Sequence, residues 1–143
     1  MSELRRPVES GVPDSTQFMH PALRDNYGHW AWHDRPRPGV LRHVADSGAV
    51  VYTVKAGTQR QMDVHTIRKL SDIADAFCDG YIRFTIRSAV EFMTTDEAKV
   101  QPLIDRLEAE GFPVGGTGNS VGFISHTQGW LHCDIPGTDA SGV

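Results

Sequence analysis

The sequence predicts an α+β fold in which two amphipathic helices cover one face of a β-sheet, after an extended N-terminal arm. Two observations lead to this prediction. Polar and apolar residues alternate without a break over residues 81–87, as in a half-buried strand. Apolar residues instead recur at three to four positions within 63–80 and 94–111, which is typical of helices that bury one side.

The first 48 residues are predicted to form an extended arm with a short helix and no core of its own. Five of the eight prolines of the chain fall within its first 38 residues. One or two helical turns are expected after Pro21. The aromatic residues Tyr27, Trp30 and Trp32 need a surface to pack on, which favours an arm that lies across a partner subunit.

The ordered body is predicted over residues 49–143. It begins with the β-branched stretch "AVVYTVKAG", which is typical of a strand. A helix follows, with Asp63 as its N-cap and Gly80 as its C-terminal stop. After the alternating strand, "AVEFM" (89–93) is expected to pair back through a tight turn.

A second helix is predicted to open with a capping box, Thr94 followed three residues later by Glu97, and to end at Gly111. The rest of the chain is expected as loop, strand and loop. The order β-α-β-β-α-β is the ferredoxin-like arrangement, with both helices on one sheet face and the other face open.

The alternation over 81–87 then decides which side chains face the helices and which face outward. Those expected under the helices are Ile82, Phe84 and Ile86, and those expected on the open face are Arg83, Thr85 and Arg87. In an extended strand the two arginines would stand ~13 Å apart. They would suit a large, flat ligand with several negative charges.

Lys55 and Arg60, at the end of the neighbouring strand, would bring the number of cations on this face to four. The alternative is an exposed strand with ordinary solvated arginines.

The overall charge excludes some classes of partner. The chain has 14 basic and 18 acidic side chains and a net charge of −4, which argues against nucleic acid or an anionic membrane. No apolar run approaches the ~20 residues needed for membrane insertion, and the N-terminus has no hydrophobic segment typical of a secretory signal. Two cysteines are too few for a disulfide framework. A reduced, cytoplasmic protein is the simplest prediction.

Two further motifs are considered for chemistry. His126, His132 and Cys133 suggest zinc, but a structural zinc site needs four ligands, and a buried cysteine with surface histidines is the alternative. The glycine-rich stretch 111–122 follows a helix and has no Lys-Ser/Thr at its end. A phosphate-binding loop is therefore not predicted.

Five separated stretches, in the same order, resemble the N-terminal part of the beta subunit of dissimilatory sulfite reductase. They are "PGVLRHVADSG", "VYTVKAGTQRQMDVHTIRKLSDIADAF", "GYIRFTIRSAVEFM", "PVGGTGNSV" and "HTQGWLHCDIPGTDASG". The resemblance runs from about residue 20 to the last residue.

This resemblance implies a siroheme coupled to a [4Fe-4S] cluster and the six-electron interconversion of sulfite and sulfide. It also implies an α2β2 assembly with a paralogous alpha subunit, and transfer of sulfur to a small carrier protein. The stretches "GTQRQMD" and "CDIPGTDASGV" resemble the versions from sulfur oxidisers more closely, which would imply an enzyme that runs in the sulfide-oxidising direction.

The resemblance also assigns roles to particular residues. The residues that match the family's siroheme-contacting R-x-T-x-R strand are Arg83, Thr85 and Arg87. Lys55, on the neighbouring strand, is expected to bind the same cofactor through its positive charge. Cys133, in "GWLHC", matches a cluster ligand, and Arg60 and His132 match positions near the haem and the substrate cavity, where catalytic roles are expected.

The chain departs from the family pattern in three respects. Ala89 stands where the family usually has Asn, and Ile86 where it often has Thr. Family members run to several hundred residues, so an N-terminal fragment that is inactive alone is expected. One cysteine cannot hold a [4Fe-4S] cluster. The rival interpretation is a non-catalytic ferredoxin-like binding or assembly module whose arginines hold the acidic surface of a partner.

Overall fold

The computed structural model describes residues 14–116, 130, 131, 137 and 139. Its strands are β1 (Trp30–Arg37), β2 (Val40–Ala45), β3 (Val50–Gly57), β4 (Ile82–Phe84) and β5 (Ala89–Thr94). Its helices are α1 (Pro21–Asp25), α2 (Val64–Phe77) and α3 (Val100–Ala109), with 3-10 turns at Ser15–Phe18 and Glu97–Lys99.

The five strands form one sheet in the order β1-β2-β3-β5-β4, and each neighbouring pair is antiparallel. Because β3 and β4 are both antiparallel to β5, they run parallel to each other. The chain between them, which contains α2, therefore crosses over β5 as in a split βαβ unit. The α+β prediction with a ferredoxin-like core is confirmed.

The two long helices bury their apolar sides against one face of this sheet. The buried helix residues are Leu70, Ile73, Ala74, Val100, Leu103, Ile104 and Leu107, and they belong to one core with Val54, Ala56, Val90 and Phe92 of the sheet. The start of α2 agrees with the prediction, since the Asp63 carboxylate accepts a hydrogen bond from the backbone N–H of Thr66 at 2.7 Å.

The start of α3 differs from the predicted capping box. Asp96, and not Thr94, caps the 3-10 turn before α3, because its Oδ1 accepts from the backbone N–H of Ala98 at 2.9 Å. The Glu97 carboxylate is occupied elsewhere: it accepts a hydrogen bond from the Tyr52 hydroxyl at 2.9 Å. The reciprocal bond of a capping box is therefore replaced by a tie between this turn and β3.

The predicted arm is wrong for residues 30–45, which form the β1–β2 hairpin of the sheet. The prolines that suggested an arm are compatible with this hairpin. Pro36 lies in the edge strand β1, where the missing N–H is tolerated. Pro38 precedes Gly39, whose φ of +76° belongs to the turn between the strands.

The predicted strand over 81–87 is wrong beyond Phe84. The register pairs Phe84 with Val90, so the chain must reverse over residues 85–88. The backbone N–H of Thr85 bonds to the carbonyl of Ala89 at 2.8 Å. Ile82 packs against the core, but Phe84 is 59% exposed and Ile86, within the reversal, is 92% exposed. Two of the three apolar side chains predicted under the helices are therefore outside the core.

The face opposite the helices is not open at its centre, contrary to the prediction. Alternation places Thr53, Lys55, Glu91 and Met93 on this face, and all four are buried. No helix of the described residues is long and apolar enough to cross a membrane.

Candidate functional site

Charged side chains meet where β3 and β4 end and β5 begins. Because β3 and β4 are parallel and flank β5, their C-terminal ends lie at the same end of the sheet as the start of β5. The register sets Lys55 directly opposite Glu91, and Arg83 opposite Glu91 from the other side. Cross-strand partners share a face, so the three side chains form one row on the face away from the helices.

The row is a continuous set of ion pairs, called here the Glu91 cluster (Lys55, Glu91 and Arg83). Lys55 Nζ lies 3.1 Å from Glu91 Oε1. Arg83 Nε donates to Glu91 Oε2 at 2.8 Å, and Arg83 Nη2 contacts the same oxygen. The two carboxylate oxygens are thus divided between the two cations.

Exposure differs sharply along the cluster. The Glu91 side chain is 5% exposed and that of Lys55 is 11% exposed, whereas that of Arg83 is 64% exposed. A buried carboxylate is costly unless it is paired, and here it has two partners. Arg83 is therefore the member of the cluster that a ligand can reach.

The motif-based prediction of the cationic face did not include Glu91. A signal for it was present: Glu91 is the single charged residue in the otherwise apolar stretch "AVEFM". Pairing that strand with the strands of Lys55 and Arg83 would have brought an acidic group between two basic ones. The predicted row of cations is in fact a row of alternating charge.

Arg87 and Thr85 lie in the reversal after β4. Thr85 is half-buried and its hydroxyl accepts from the backbone N–H of Arg87 at 3.4 Å. Arg87 is exposed, but it lies outside a strand, so the ~13 Å spacing to Arg83 expected for an extended strand does not apply.

Arg60 lies on the loop that leaves β3 beside this reversal. The backbone N–H of Thr58 bonds to the carbonyl of Ser88 at 3.1 Å, which joins the start of that loop to the end of the reversal. Arg60 follows two residues later and is exposed. The structure therefore brings the segments that carry Arg60 and Arg87 to the end of the sheet that carries the Glu91 cluster.

The charges of this cluster affect the pKa of a histidine on the same face. His43 of β2 lies 3.4 Å from the Thr53 hydroxyl through Nε2. Burial lowers the pKa of His43, and the charge of neighbouring His33 lowers it further. Arg83 also lowers that pKa, while Glu91 raises it. The neutral form of His43 is therefore favoured.

The predicted metal-ligand residues are not tested by the structure. His126, His132 and Cys133 lie outside the described residues. Among the residues that are described, no group of three or more His, Cys, Asp or Glu could hold a metal ion. Cys78, which ends α2, is buried, and burial raises the pKa of its thiol to about 12.

Part of the chain is similar to a known family of domains. Residues 43–110 match the family model described as the nitrite/sulfite reductase ferredoxin-like half domain. The matched range contains the Glu91 cluster, both long helices and four of the five described strands in whole or in part.

Similar individual proteins point to a more specific resemblance than the family model does. The chain is 46% identical over 143 residues to the protein of Archaeoglobus fulgidus named sulfite reductase, dissimilatory-type subunit beta. The aligned region covers 95% of this chain and 39% of that relative. Proteins of the same name from Nitratidesulfovibrio vulgaris and Megalodesulfovibrio gigas are 48% and 40% identical over 96% of this chain. The resemblance to dissimilatory sulfite reductase beta subunits is confirmed.

The chain spans between 38% and 57% of the length of these three relatives.

Proposed function

We propose that this chain supplies a ferredoxin-like half domain of a siroheme-dependent dissimilatory sulfite reductase beta subunit. The observation that carries the proposal is the setting of the Arg83 side chain: it is bonded to the buried carboxylate of Glu91 and yet is 64% exposed. Siroheme has eight carboxylates, and the loop of Arg60 and the reversal of Arg87 adjoin the same end of the sheet.

The donor set of Arg83 suits this role. A guanidinium has five N–H donors, and Glu91 uses donors from Nε and Nη2. The two donors of Nη1 and the second donor of Nη2 are not used by Glu91 and would bind a ligand carboxylate. Charge-assisted hydrogen bonds of this kind are stronger than neutral ones, and a guanidinium can bind a carboxylate through two of them.

The [4Fe-4S] cluster is proposed from the resemblance to the family. Cys133 would supply one thiolate, and such a cluster takes four cysteine ligands, so the other three would come from outside this chain's matched motif. Cys78 does not fit, because its side chain is fully buried in the hydrophobic core that the helices form with the sheet. Siroheme and the cluster together would relay to sulfite the electrons of an external electron donor.

The residues of this chain would bind and orient the cofactor and the substrate. Arg83, Thr85 and Arg87 would hold cofactor carboxylates, and Lys55 would contribute through the cluster of charges. Arg60 and His132 would contact the anionic substrate, sulfite. The assembly would be an α2β2 complex with an alpha subunit in the cytoplasm, passing sulfur to a small carrier protein, in the reductive or the sulfide-oxidising direction.

Uroporphyrin, an octacarboxylate porphyrin, provides a test on this chain alone. Its binding is measured by fluorescence quenching for the wild type and for Arg83→Ala/Arg87→Ala. Loss of a single charge-assisted hydrogen bond corresponds to about a ten-fold loss of affinity, so we expect at least about ten-fold weaker binding. Arg68→Ala/Arg106→Ala, which removes two exposed arginines from the helices, is the matched control.

We expect the control pair to bind nearly as tightly as the wild type. Equal losses in the two double variants would reduce the effect to net charge and refute the cofactor role of the sheet end. Wild-type binding to a polyglutamate peptide with no preference for uroporphyrin would instead favour the non-catalytic module.

The cluster ligand is tested in a chimaera in which this chain replaces the matched segment of the Archaeoglobus fulgidus relative, produced with its alpha subunit. Cys133→Ser is expected to lower the iron content of the purified complex, while Cys78→Ser leaves it unchanged. An unchanged iron content in Cys133→Ser would show that Cys133 is not a ligand of the cluster.

A further inference from the structure

We infer that Glu91 is a positioning residue that aims the Arg83 guanidinium at an anionic ligand, and that Lys55 anchors Glu91 without contacting the ligand. The inference rests on the proposed function, in which this end of the sheet binds a ligand with several carboxylates. It assigns different tasks to two cations that sequence motifs place in one group.

The first step of the argument concerns Lys55. Its side chain is 11% exposed, and its ammonium lies 3.1 Å from Glu91 Oε1. Its backbone is also fixed on both sides, since its N–H bonds to the carbonyl of Gly39 at 2.8 Å and its carbonyl accepts from Gly115 at 3.1 Å. Lys55 is therefore a buried, immobilised partner for the carboxylate.

The second step concerns Arg83. It belongs to β4, a three-residue strand at the edge of the sheet, and its side chain is 64% exposed. A long exposed side chain normally samples many rotamers and loses that freedom when it binds. The contacts from Glu91 Oε2 to Nε and Nη2 restrict Arg83 before any ligand arrives. The remaining guanidinium donors are thus preorganised.

The third step is the sign of the effect. If Glu91 were only a counter-charge, neutralising it would add one positive charge to the site and strengthen the binding of an anion. If Glu91 positions Arg83, the same change releases the guanidinium and weakens that binding. The two explanations predict opposite results for one substitution.

The experiment measures uroporphyrin affinity of Glu91→Gln, with Glu108→Gln as the control. Glu108 is an exposed residue of α3, so its substitution changes the net charge equally at a distance from the cluster. We expect Glu91→Gln to bind about ten-fold more weakly, as for the loss of one charge-assisted hydrogen bond. We expect Glu108→Gln to bind as the wild type does. Equal or tighter binding by Glu91→Gln would overturn the inference.

Two further variants test whether Glu91 acts through Arg83. Glu91→Gln added to Arg83→Ala is expected to cause no additional loss, because there is no guanidinium left to aim; a full additional loss would overturn the inference. Lys55→Met is expected to weaken binding less than Arg83→Ala does. Equal losses would show that Lys55 contacts the ligand.

Folding of each variant is checked by circular dichroism and by its urea midpoint. Glu91→Asp retains the charge with a shorter side chain, and we expect about a three-fold loss because the anchor is displaced. Wild-type affinity in Glu91→Asp would overturn the inference if Glu91→Gln does not fold. Failure of the wild type to bind uroporphyrin would refute the proposed function, whereas loss in Arg83→Ala without loss in Glu91→Gln would refute only the positioning role.

Discussion

Substitution of each member of the Glu91 cluster should change the stability of the chain by a different amount. Glu91→Gln removes the one negative charge between two cations. Arg83 can turn to water because it is 64% exposed, but Lys55 is 11% exposed and would keep a buried charge without its counter-ion. The cost of Glu91→Gln is therefore set by Lys55.

The magnitudes follow from this difference in burial. Removal of one partner from a buried ion pair costs about 3–5 kcal/mol, and we expect Glu91→Gln to lower the free energy of unfolding by that amount. Lys55→Met leaves Glu91 paired with Arg83, so the cost should be about 1–2 kcal/mol. Arg83→Met removes a cation that is largely exposed and leaves Glu91 paired with Lys55, so it should cost less than about 1 kcal/mol.

Urea denaturation followed by circular dichroism measures all three variants together with Lys55→Met/Glu91→Met. In this double variant both buried charges are gone, so it should be more stable than Glu91→Gln alone. A double variant that is less stable than Glu91→Gln, or equal losses in the three single variants, would contradict the assignment of Lys55 as the buried partner.

Three further outcomes are expected. Phe92→Ala should cost about 3–5 kcal/mol because Phe92 is fully buried, whereas Phe84→Ala, at 59% exposure, should cost about 1 kcal/mol; urea denaturation compares them. Gly39→Ala should destabilise by more than about 1 kcal/mol in the same assay, because φ there is +76° and a Cβ would meet the Val114 side chain at 2.5 Å. In a Cys133→Ser background, Cys78 should react with iodoacetamide at pH 8 about a thousand-fold more slowly than an exposed thiol, since its pKa is raised from 9.0 to about 12; rapid alkylation of the folded chain would contradict its burial.

The same Cys78 shift sets the direction of one alkaline effect. Its folded pKa lies above the unfolded value, and the thiol is neutral in both states at pH 7, so it makes no difference there. Between pH 9 and about 12 the unfolded chain releases this proton first, and stability falls as the pH rises. Cys78→Ala should remove that part of the alkaline loss, measured as the urea midpoint at pH 7 and pH 10.

Local periodicity was sufficient to predict the two long helices and the order strand, helix, strand, strand, helix over residues 50–109. The strand predicted after Gly111 lies mostly outside the described residues. Leu70, Ile73 and Leu107 repeat at helical spacing and are buried where the pattern requires. The end of β4 was not predictable in this way. Alternation continues to Arg87 in the sequence, but pairing of Phe84 with Val90 forces the chain to reverse earlier. Strand length depends on the partner strand, which local pattern does not contain.

The candidate site shows the same limit. The residue types at Arg83 and Arg87 predicted a cationic surface, and the exposure of both side chains agrees with that expectation. Their pattern could not show that Glu91 lies between Lys55 and Arg83, because that contact depends on the register of three strands. The hairpin at residues 30–45 was missed for a related reason: its prolines are permitted at an edge strand and a turn, which only the complete sheet defines.

The backbone around Lys55 distinguishes the setting of this lysine from that of Arg83 within the cluster. The first part of β3 pairs with β2 from Val50 to Val54, whereas Gly57 donates from its N–H to the carbonyl of Pro113 at 2.8 Å. Lys55 lies at the change of partner, bonded to both flanking segments and opposite Glu91. Arg83 lies on the edge strand, with a β-partner on one side only among the described residues. A fixed cation behind the carboxylate and an exposed one in front of it would allow the proposed ligand site to hold its geometry while it binds.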